Sequence, residues 1–201
     1  MSDERHDGAT PEVERRNVSD IELRTTEDGQ TVLAGYATVY EFPYPVGASM
    51  EVITRGAGAK TAKDGDIRLL VNHSGVPLAR SKGGVGTMTV TSDDIGLRVE
   101  APLDPANPKA AELISALKRG DLDAMSFGFN VVGGRESWEG DTRRIDEFRA
   151  MDVSVVTYPA NPATVVQVAH RGGAAESETP EGVRSLELAK RQAQADKSRR
   201  R

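Results

Sequence analysis

The sequence predicts a β-rich α+β fold: a closed or nearly closed β-barrel with helical cover and flexible termini. Three observations predict this class. Many short runs of β-branched and aromatic residues are separated by turn signals, one segment carries a full set of helix signals, and both ends of the chain are charged and poor in apolar residues. Many short strands with one good helix are typical of a barrel rather than of a layered α/β protein.

The N-terminal segment, residues 1–20, is expected to be flexible. It has almost no apolar side chains, and acidic residues occur along its whole length. Such a segment buries too little apolar surface to offset the entropy that is lost on ordering.

The strands are predicted from runs of alternating or β-branched residues. In chain order they are Ile21–Arg24, Thr31–Tyr40, Ile67–Val71, Val85–Thr91, Leu97–Ala101, Ala124–Val132, Arg143–Phe148 and Met151–Tyr158. The first two are expected to pair across a turn at Glu27–Gln30, and Val85–Thr91 is expected to form a hairpin with Leu97–Ala101.

One helix is predicted between Asn107 and Gly120. Asn107 is a suitable N-cap, Pro108 fits the first turn, and Gly120 fits the left-handed position that ends a helix. The apolar residues between them recur on one face, as in a helix that packs on a core.

The ordered domain is expected to span residues 21–169, with a flexible or weakly helical tail at 170–201. In this tail Val183–Ala195 has too few apolar residues to dock firmly, and Lys197–Arg201 is typical of a solvated basic end.

Composition excludes several classes of protein. The 201-residue chain has no cysteine, which excludes disulfides, iron–sulfur clusters and a cysteine nucleophile. Its net charge of −5 argues against a protein that coats DNA. It has no apolar run long enough to span a bilayer and no signal-like N-terminus, so we expect a soluble, intracellular protein that requires neither membrane nor nucleic acid.

His73 is the one histidine inside the predicted domain, because His6 and His170 belong to the charged ends. It lies in Asn72–Gly75, a cluster of turn-forming residues directly after a strand. Taken alone, it is most simply a polar turn residue, although an imidazole is also the side chain best suited to general base catalysis near neutral pH.

Ser126 lies in the predicted strand Ala124–Val132. Alternation places Ser126, Gly128 and Asn130 on the face opposite to the phenylalanines. The glycine leaves room for another chain beside the hydroxyl, whereas an ordinary solvent-facing serine is the simpler interpretation of this residue alone.

Asp152 is a carboxylate inside an otherwise apolar strand, where burial requires a partner. A charge that protects an edge strand is the alternative interpretation. Glu147 is a second candidate carboxylate, in a charged segment. The sequence has no phosphate-binding loop and no His-Glu-x-x-His motif, and its carboxylates are not clustered, so neither a metal nor a cofactor is predicted.

Several segments, in this order, resemble the prohead (capsid maturation) serine proteases of tailed bacteriophages. The resemblance covers about Glu22 to Val168. The segments are Gly35-Tyr-Ala-Thr-Val-Tyr40, Leu70-Val-Asn-His-Ser74, Gly86-Thr, Gly96-Leu, Met125-Ser-Phe-Gly-Phe129 and Asp152-Val-Ser-Val-Val, with Pro159-Ala-Asn-Pro162 after it.

The resemblance implies a fold related to the herpesvirus assembly proteases and a serine endopeptidase activity. It implies that Ser126 is the nucleophile and His73 its base, with Asp152 as the third member, although the family often has glutamate there. It further implies substrates among phage scaffold and coat proteins, self-association or packaging inside the immature procapsid, and a location in the cytoplasm of the bacterial host. In such a protease the tail at 170–201 is either a packaging segment that binds a scaffold or coat partner, or a disposable piece removed by self-cleavage.

Two other functions remain open from the sequence. One is a non-catalytic β-barrel assembly module of the capsid, in which Ser126 and His73 are only structural. The other is a carboxylate-metal hydrolase, which chelators would inhibit. The donors that stabilise an oxyanion are not identifiable from the sequence, although backbone amides near Arg143 and Arg144 are candidates because positive charge is favourable there.

Overall fold

The computed structural model describes residues 13–18 and 21–158, and strands dominate them. The strands in chain order are β1 (Glu14–Val18), β2 (Ile21–Thr25), β3 (Thr31–Val39), β4 (Pro43–Val46), β5 (Ser49–Ile53), β6 (Asp66–Val71), β7 (Ser74–Lys82), β8 (Val85–Gly86), β9 (Thr89–Ser92), β10 (Gly96–Leu103), β11 (Ala124–Val131), β12 (Glu136–Glu139), β13 (Thr142–Ile145) and β14 (Phe148–Val156). The helices are α1 (Ala59–Asp64), between β5 and β6, and α2 (Pro108–Arg119), between β10 and β11.

The strands form three open sheets. Their orders are β1-β11-β14-β6-β7-β8, β2-β3-β10-β9 and β12-β13-β5-β4. The prediction of a β-rich fold with few helices is confirmed, but the closed or nearly closed barrel is wrong for the residues described, because the outer strands of each sheet do not pair to complete a ring. Alternating residues identify a strand and its buried face, and the same pattern occurs in open and closed sheets.

Most predicted elements occur close to their expected positions. β2 and β3 pair antiparallel, and β6, β10, β11 and β14 match predicted strands to within three residues at each end. The helix is confirmed in detail. The Asn107 side chain accepts a hydrogen bond from the backbone N–H of Lys109, and Gly120 adopts a φ of 75° at the C-terminal end.

Two predicted strands are divided in the structure. Val85–Gly86 pairs with β7 in the first sheet, whereas Thr89–Ser92 pairs with β10 in the second. Similarly, Thr142–Ile145 belongs to the third sheet, whereas Phe148 already begins β14. Each division lies where the chain passes from one sheet to another, and local sequence patterns do not record such a change of partner.

Five strands and one helix were not predicted: β1, β4, β5, β7, β12 and α1. β7 contains a glycine and a proline, all four residues of β12 are exposed, and α1 has only six residues, so none of them has a strong periodic pattern. The ordered region also begins earlier than predicted, because β1 lies within the segment expected to be flexible.

Charge anchors β1. Arg16 turns inward and donates to both carboxylate oxygens of Glu51, at 2.5 and 2.6 Å, although Glu51 is only 1% exposed. Arg143 from β13 donates to Glu14 at 2.7 Å and to Glu51 at 3.2 Å. This ion network fastens β1 to the third sheet and supplies the attachment that its few apolar residues cannot.

The apolar face of β11 forms part of the main core. Met125, Phe127 and Phe129 are fully buried, and the Phe127 and Phe129 rings stack with centroids 4.6 Å apart. Phe148 packs against both rings. This packing holds β11 rigidly, and strand alternation then directs Ser126 and Gly128 to the opposite face.

Several predictions fall on residues outside those described. These are the first part of the N-terminal segment, the Pro159–Pro162 motif, the end of the predicted domain to residue 169, and the tail at 170–201 with its weak helix. Within residues 13–18 and 21–158, no helix has the length and apolar character needed to cross a bilayer.

The ion network gives a test of the β1 anchor. Replacing Arg16 by methionine leaves the buried Glu51 carboxylate with Arg143 alone, and we expect the free energy of unfolding to fall by about 3 kcal/mol. The control is Arg24→Met, which breaks the more exposed pair with Glu100 and should change stability by less than about 1 kcal/mol. Urea unfolding measures both, and equal losses would contradict the anchoring role of Arg16.

Candidate active site

Three adjacent strands of the first sheet bring Ser126, His73 and Asp152 together. Ser126 lies in β11 and Asp152 in the neighbouring β14, whereas His73 follows β6, which pairs with the other side of β14. In the β11–β14 register Ser126 faces Ser154, and Gly128 faces Asp152. The sheet therefore brings together residues that are far apart in the chain.

These three side chains form a continuous hydrogen-bonded chain. His73 Nδ1 lies 2.6 Å from Asp152 Oδ1, and His73 Nε2 lies 2.8 Å from Ser126 Oγ. An ionised carboxylate only accepts hydrogen bonds, so Nδ1–H donates to Asp152, and Nε2 is left to accept from the Ser126 hydroxyl. The arrangement matches the geometry of a Ser-His-Asp triad.

A two-residue turn positions the imidazole. Asn72 and His73 have φ values of 51° and 55°, and Val71 pairs with Ser74 across the turn. Tight hairpin turns of this kind need positive φ at both central residues, a conformation that is uncommon for residues other than glycine, although asparagine and histidine adopt it more often than most. A residue held in such a sparsely populated region is typical of a functional site.

The end of β14 clamps this turn. The Asn72 backbone N–H donates to the carbonyl of Val155, its side-chain oxygen accepts from the backbone N–H of Thr157 at 2.9 Å, and its side-chain nitrogen donates to the Thr157 hydroxyl. Asn72 thus ties the turn that carries His73 to the strand that carries Asp152.

Ser154 forms hydrogen bonds with both Asp152 and His73. Its hydroxyl donates to Asp152 Oδ1 at 2.8 Å and accepts from the backbone N–H of His73 at 3.2 Å. Ser154 is fully buried, so its hydroxyl satisfies buried polar groups that would otherwise destabilise the site.

Gly128 provides the space for the Asp152 carboxylate. A Cβ atom at this position would approach Asp152 Oδ2 to less than any normal contact and would also press on Val13. A register shift between Gly128 and Phe129 adds a β-bulge to the same stretch of the β11–β14 ladder. Bulges of this kind are common beside active sites, where they redirect side chains.

The surroundings of Asp152 keep it ionised. Burial by itself raises the pKa of this carboxyl, but hydrogen bonds from His73 and Ser154 and the nearby positive charge of Arg15 outweigh burial, and the pKa lies below its usual value. The side chain that accepts the hydrogen bond from His73 Nδ1–H is therefore an ionised carboxylate at neutral pH.

Ser126 and His73 open onto a cleft of about 510 Å³. The other lining residues are Arg15 from β1, Asn72, and the segment Val156–Tyr158 at the end of β14. Ser126 itself is 1% exposed, whereas Tyr158 is 88% exposed. The nearly buried Ser126 and the exposed Tyr158 thus line the same cleft.

The other predicted candidates lie elsewhere. Glu147 is near Lys60 and Arg135 rather than His73, so Asp152 is the carboxylate that reaches the imidazole. β14 has neighbours on both sides, so the interpretation of Asp152 as an edge-strand charge is wrong. Arg143 and Arg144 belong to β13 in the third sheet, where their guanidinium groups pair with glutamates.

The sequence interpretation does not assign the roles that four residues have in the site: Arg15, Asn72, Gly128 and Ser154. It predicts that Gly128 leaves room for another chain, whereas in the structure this space holds the Asp152 carboxylate. Strand alternation does place Gly128 on the face of Ser126 and Ser154 on the face of Asp152. Arg15 and Asn72 depend on long-range pairing. No group of three or more metal-binding side chains occurs among the residues that the structure describes.

Three comparisons relate this chain to known proteins. The model of the caudovirus prohead serine protease family matches residues 19–178, a range that includes His73, Ser126 and Asp152. The prohead protease of Enterobacteria phage HK97 is 28% identical over 153 residues, which are 74% of this chain but only 65% of that protein. The solved structure of the capsid assembly protease of bacteriophage T4 aligns with 73% of this chain and 99% of its own, at 12% identity and a TM-score of 0.38.

The close approach of the Asp152 carboxylate to Gly128 can be tested by a substitution. Gly128→Ala should displace the Asp152 carboxylate and lower the free energy of unfolding by about 1–3 kcal/mol, as overpacking does. Gly133→Ala is the matched control, because nothing lies within 4 Å of the added methyl group, and it should change stability by less than about 0.5 kcal/mol. The NMR signal of the His73 Nδ1 proton should be lost in the first variant and kept in the second. An unchanged signal in Gly128→Ala would contradict the packing argument.

The depressed pKa of Asp152 predicts a pH-dependent contribution to stability. This contribution is complete above the usual aspartate pKa of ~3.9 and is lost as the pH falls further and the folded-state carboxylate takes up its proton. In Asp152→Asn the free energy of unfolding should therefore fall less steeply below about pH 4 than in the original protein. Asp64→Asn, which changes an exposed carboxylate outside the site, is the control. Identical slopes for the original protein and Asp152→Asn would refute the prediction.

Proposed function

The chain belongs to the caudovirus prohead serine protease family, and from this premise we propose that it is a serine endopeptidase that cleaves scaffold and coat-protein segments, and its own chain, during maturation of a phage procapsid. The membership confirms the resemblance inferred from the sequence motifs. The observation that carries the proposed activity is the hydrogen-bonded chain from Asp152 through His73 to Ser126, which ends in an open cleft.

The proposed reaction begins with attack by Ser126. A serine hydroxyl is a weak nucleophile at neutral pH, and His73 Nε2, 2.8 Å away, is placed to take its proton as Oγ bonds to the scissile carbonyl carbon. The imidazolium that forms then carries a proton on each nitrogen. The Asp152 carboxylate at Nδ1 stabilises this charge and holds the ring in the productive orientation.

The same groups complete the reaction. His73 returns its proton to the leaving amine, the peptide bond breaks, and the acyl group stays on Ser126. A water molecule then enters, gives a proton to His73 and attacks the acyl carbon. Collapse of that intermediate releases the new carboxyl end and restores the Ser126 hydroxyl with the proton held by His73.

The proposed substrates follow from the family and from the shape of the cleft. The HK97 relative is a prohead protease, which supports phage capsid precursors as targets and a site of action inside the immature procapsid in the bacterial host. A recess that opens beside an exposed tyrosine is suited to a flexible, extended segment of such a protein. Nothing in this reaction requires a metal, a cofactor, nucleic acid or a membrane.

The non-catalytic assembly module remains the second candidate, and one substitution separates the two. Ser126→Ala removes the nucleophile without adding bulk to a buried site. We expect cleavage to fall by at least about 10⁴-fold, while folding and capsid association stay intact. The measurement is mass spectrometry of coat- and scaffold-protein ends from procapsids assembled with each variant.

The matched control is Ser137→Ala, which changes an exposed serine of β12 and should leave processing unchanged. Processing by the original protein should also persist when a chelator is present. Normal processing by Ser126→Ala would exclude the serine mechanism and favour the assembly module.

A further inference from the structure

We propose that Arg15 forms an anion-binding subsite of the cleft and selects substrates with a glutamate or aspartate within about two residues of the scissile bond. This inference rests on the proposed function, because it concerns which peptide segments the cleft accepts. It is carried by the position of Arg15 beside Ser126, by the direction of its side chain, and by the charges around it.

The register of β1 places Arg15 next to the nucleophile. β1 pairs antiparallel with β11, and Arg15 lies directly opposite Gly128, two residues along the strand from Ser126. Residues in this diagonal relation across a ladder have Cβ atoms roughly 7–8 Å apart, and an extended peptide advances ~3.3 Å per residue. The Cβ atom of Arg15 therefore lies about two substrate residues from that of Ser126, and its side chain lines the same cleft.

The ion network under β1 determines which way Arg15 points. Arg16 faces inward, where it binds Glu51 and lies over the ring of Phe129 at 5.4 Å. Successive strand residues point to opposite faces, so Arg15 must face outward. It lines the cleft together with His73 and Ser126. The buried ion pair between Arg16 and Glu51 thus keeps the exposed Arg15 guanidinium in the cleft.

Arg15 differs from Arg16 and Arg143 in having no ion pair with any residue that the structure describes. Arg16 and Arg143 both pair with Glu14 and Glu51, whereas no carboxylate among the described residues lies within ion-pairing distance of the Arg15 guanidinium. The described residues that line the cleft include no aspartate or glutamate. A substrate carboxylate would therefore meet a positive charge with no competing carboxylate among the lining residues that the structure describes.

A purely internal role for Arg15 predicts different behaviour. Its charge helps to keep Asp152 ionised, so a variant could lose activity through the triad alone. Such a loss would affect all substrates equally, because the triad does not contact their side chains. A subsite instead changes which peptides are cleaved, and the choice of substrate is therefore the property to measure.

The experiment is digestion of an unbiased peptide library, with cleavage sites identified by mass spectrometry. The enzymes are the full-length chain and its Arg15→Gln, Arg15→Lys and Arg15→Glu variants, with Arg55→Gln as an exposed control outside the cleft. Ser126→Ala defines the background. Matched peptides with Glu or Gln at the preferred position then give kcat/KM ratios.

We expect the original protein and Arg55→Gln to favour Glu over Gln peptides by about tenfold, as a charge-assisted hydrogen bond would. Arg15→Lys should retain part of this preference, Arg15→Gln should lose it, and Arg15→Glu should favour lysine or arginine at the same position. The preference should also weaken as salt is added, because the pair is solvent-exposed.

Two failures of this experiment have different meanings. Ser126-dependent cleavage without acidic enrichment, or with enrichment that persists in Arg15→Gln, would overturn the subsite and leave the protease intact. An equal loss of activity on Glu and Gln peptides in Arg15→Gln would also overturn it and assign Arg15 to the support of Asp152. Absence of any Ser126-dependent cleavage would instead overturn the proposed function itself.

Discussion

The Asp152 carboxylate within a central strand is the constraint on which the site depends. A charge in that position is unfavourable unless donors surround it, and His73 and Ser154 supply them to the same oxygen. Gly128 leaves the space that the carboxylate occupies. The need to stabilise the charge of Asp152 therefore explains the glycine at position 128, the buried hydroxyl of Ser154 and the orientation of the His73 imidazole.

Charge also organises the edge of this sheet. β1 has little apolar surface, so ion pairs on its inner face replace the hydrophobic packing that holds the other strands. Since neighbouring residues in a strand point in opposite directions, anchoring Arg16 inside presents Arg15 to the cleft. One local arrangement thus provides both attachment and, in our proposal, substrate selection.

The site combines a packed strand with a tight turn. Stacked phenylalanines on the core side of β11 hold Ser126, whereas His73 has a positive φ that is uncommon for residues other than glycine. Asn72 keeps this turn against the end of β14 through its backbone and side chain. An imidazole carried on a clamped turn and a hydroxyl carried on a packed strand can keep a short, directional contact, which suits the roles of base and nucleophile that we propose for them.

The sequence by itself determined the local features: the capped helix from Pro108 to Arg119, the face of β11 that carries Ser126, and the turn at His73. These depend on residue preferences and on periods of two or 3.6 residues, which a short segment contains in full. Only the tertiary structure decided that the sheets stay open, that Asp152 rather than Glu147 reaches the imidazole, and that β1 brings Arg15 to the cleft. Strand pairing joins residues distant along the chain, and no local pattern records which strands become neighbours.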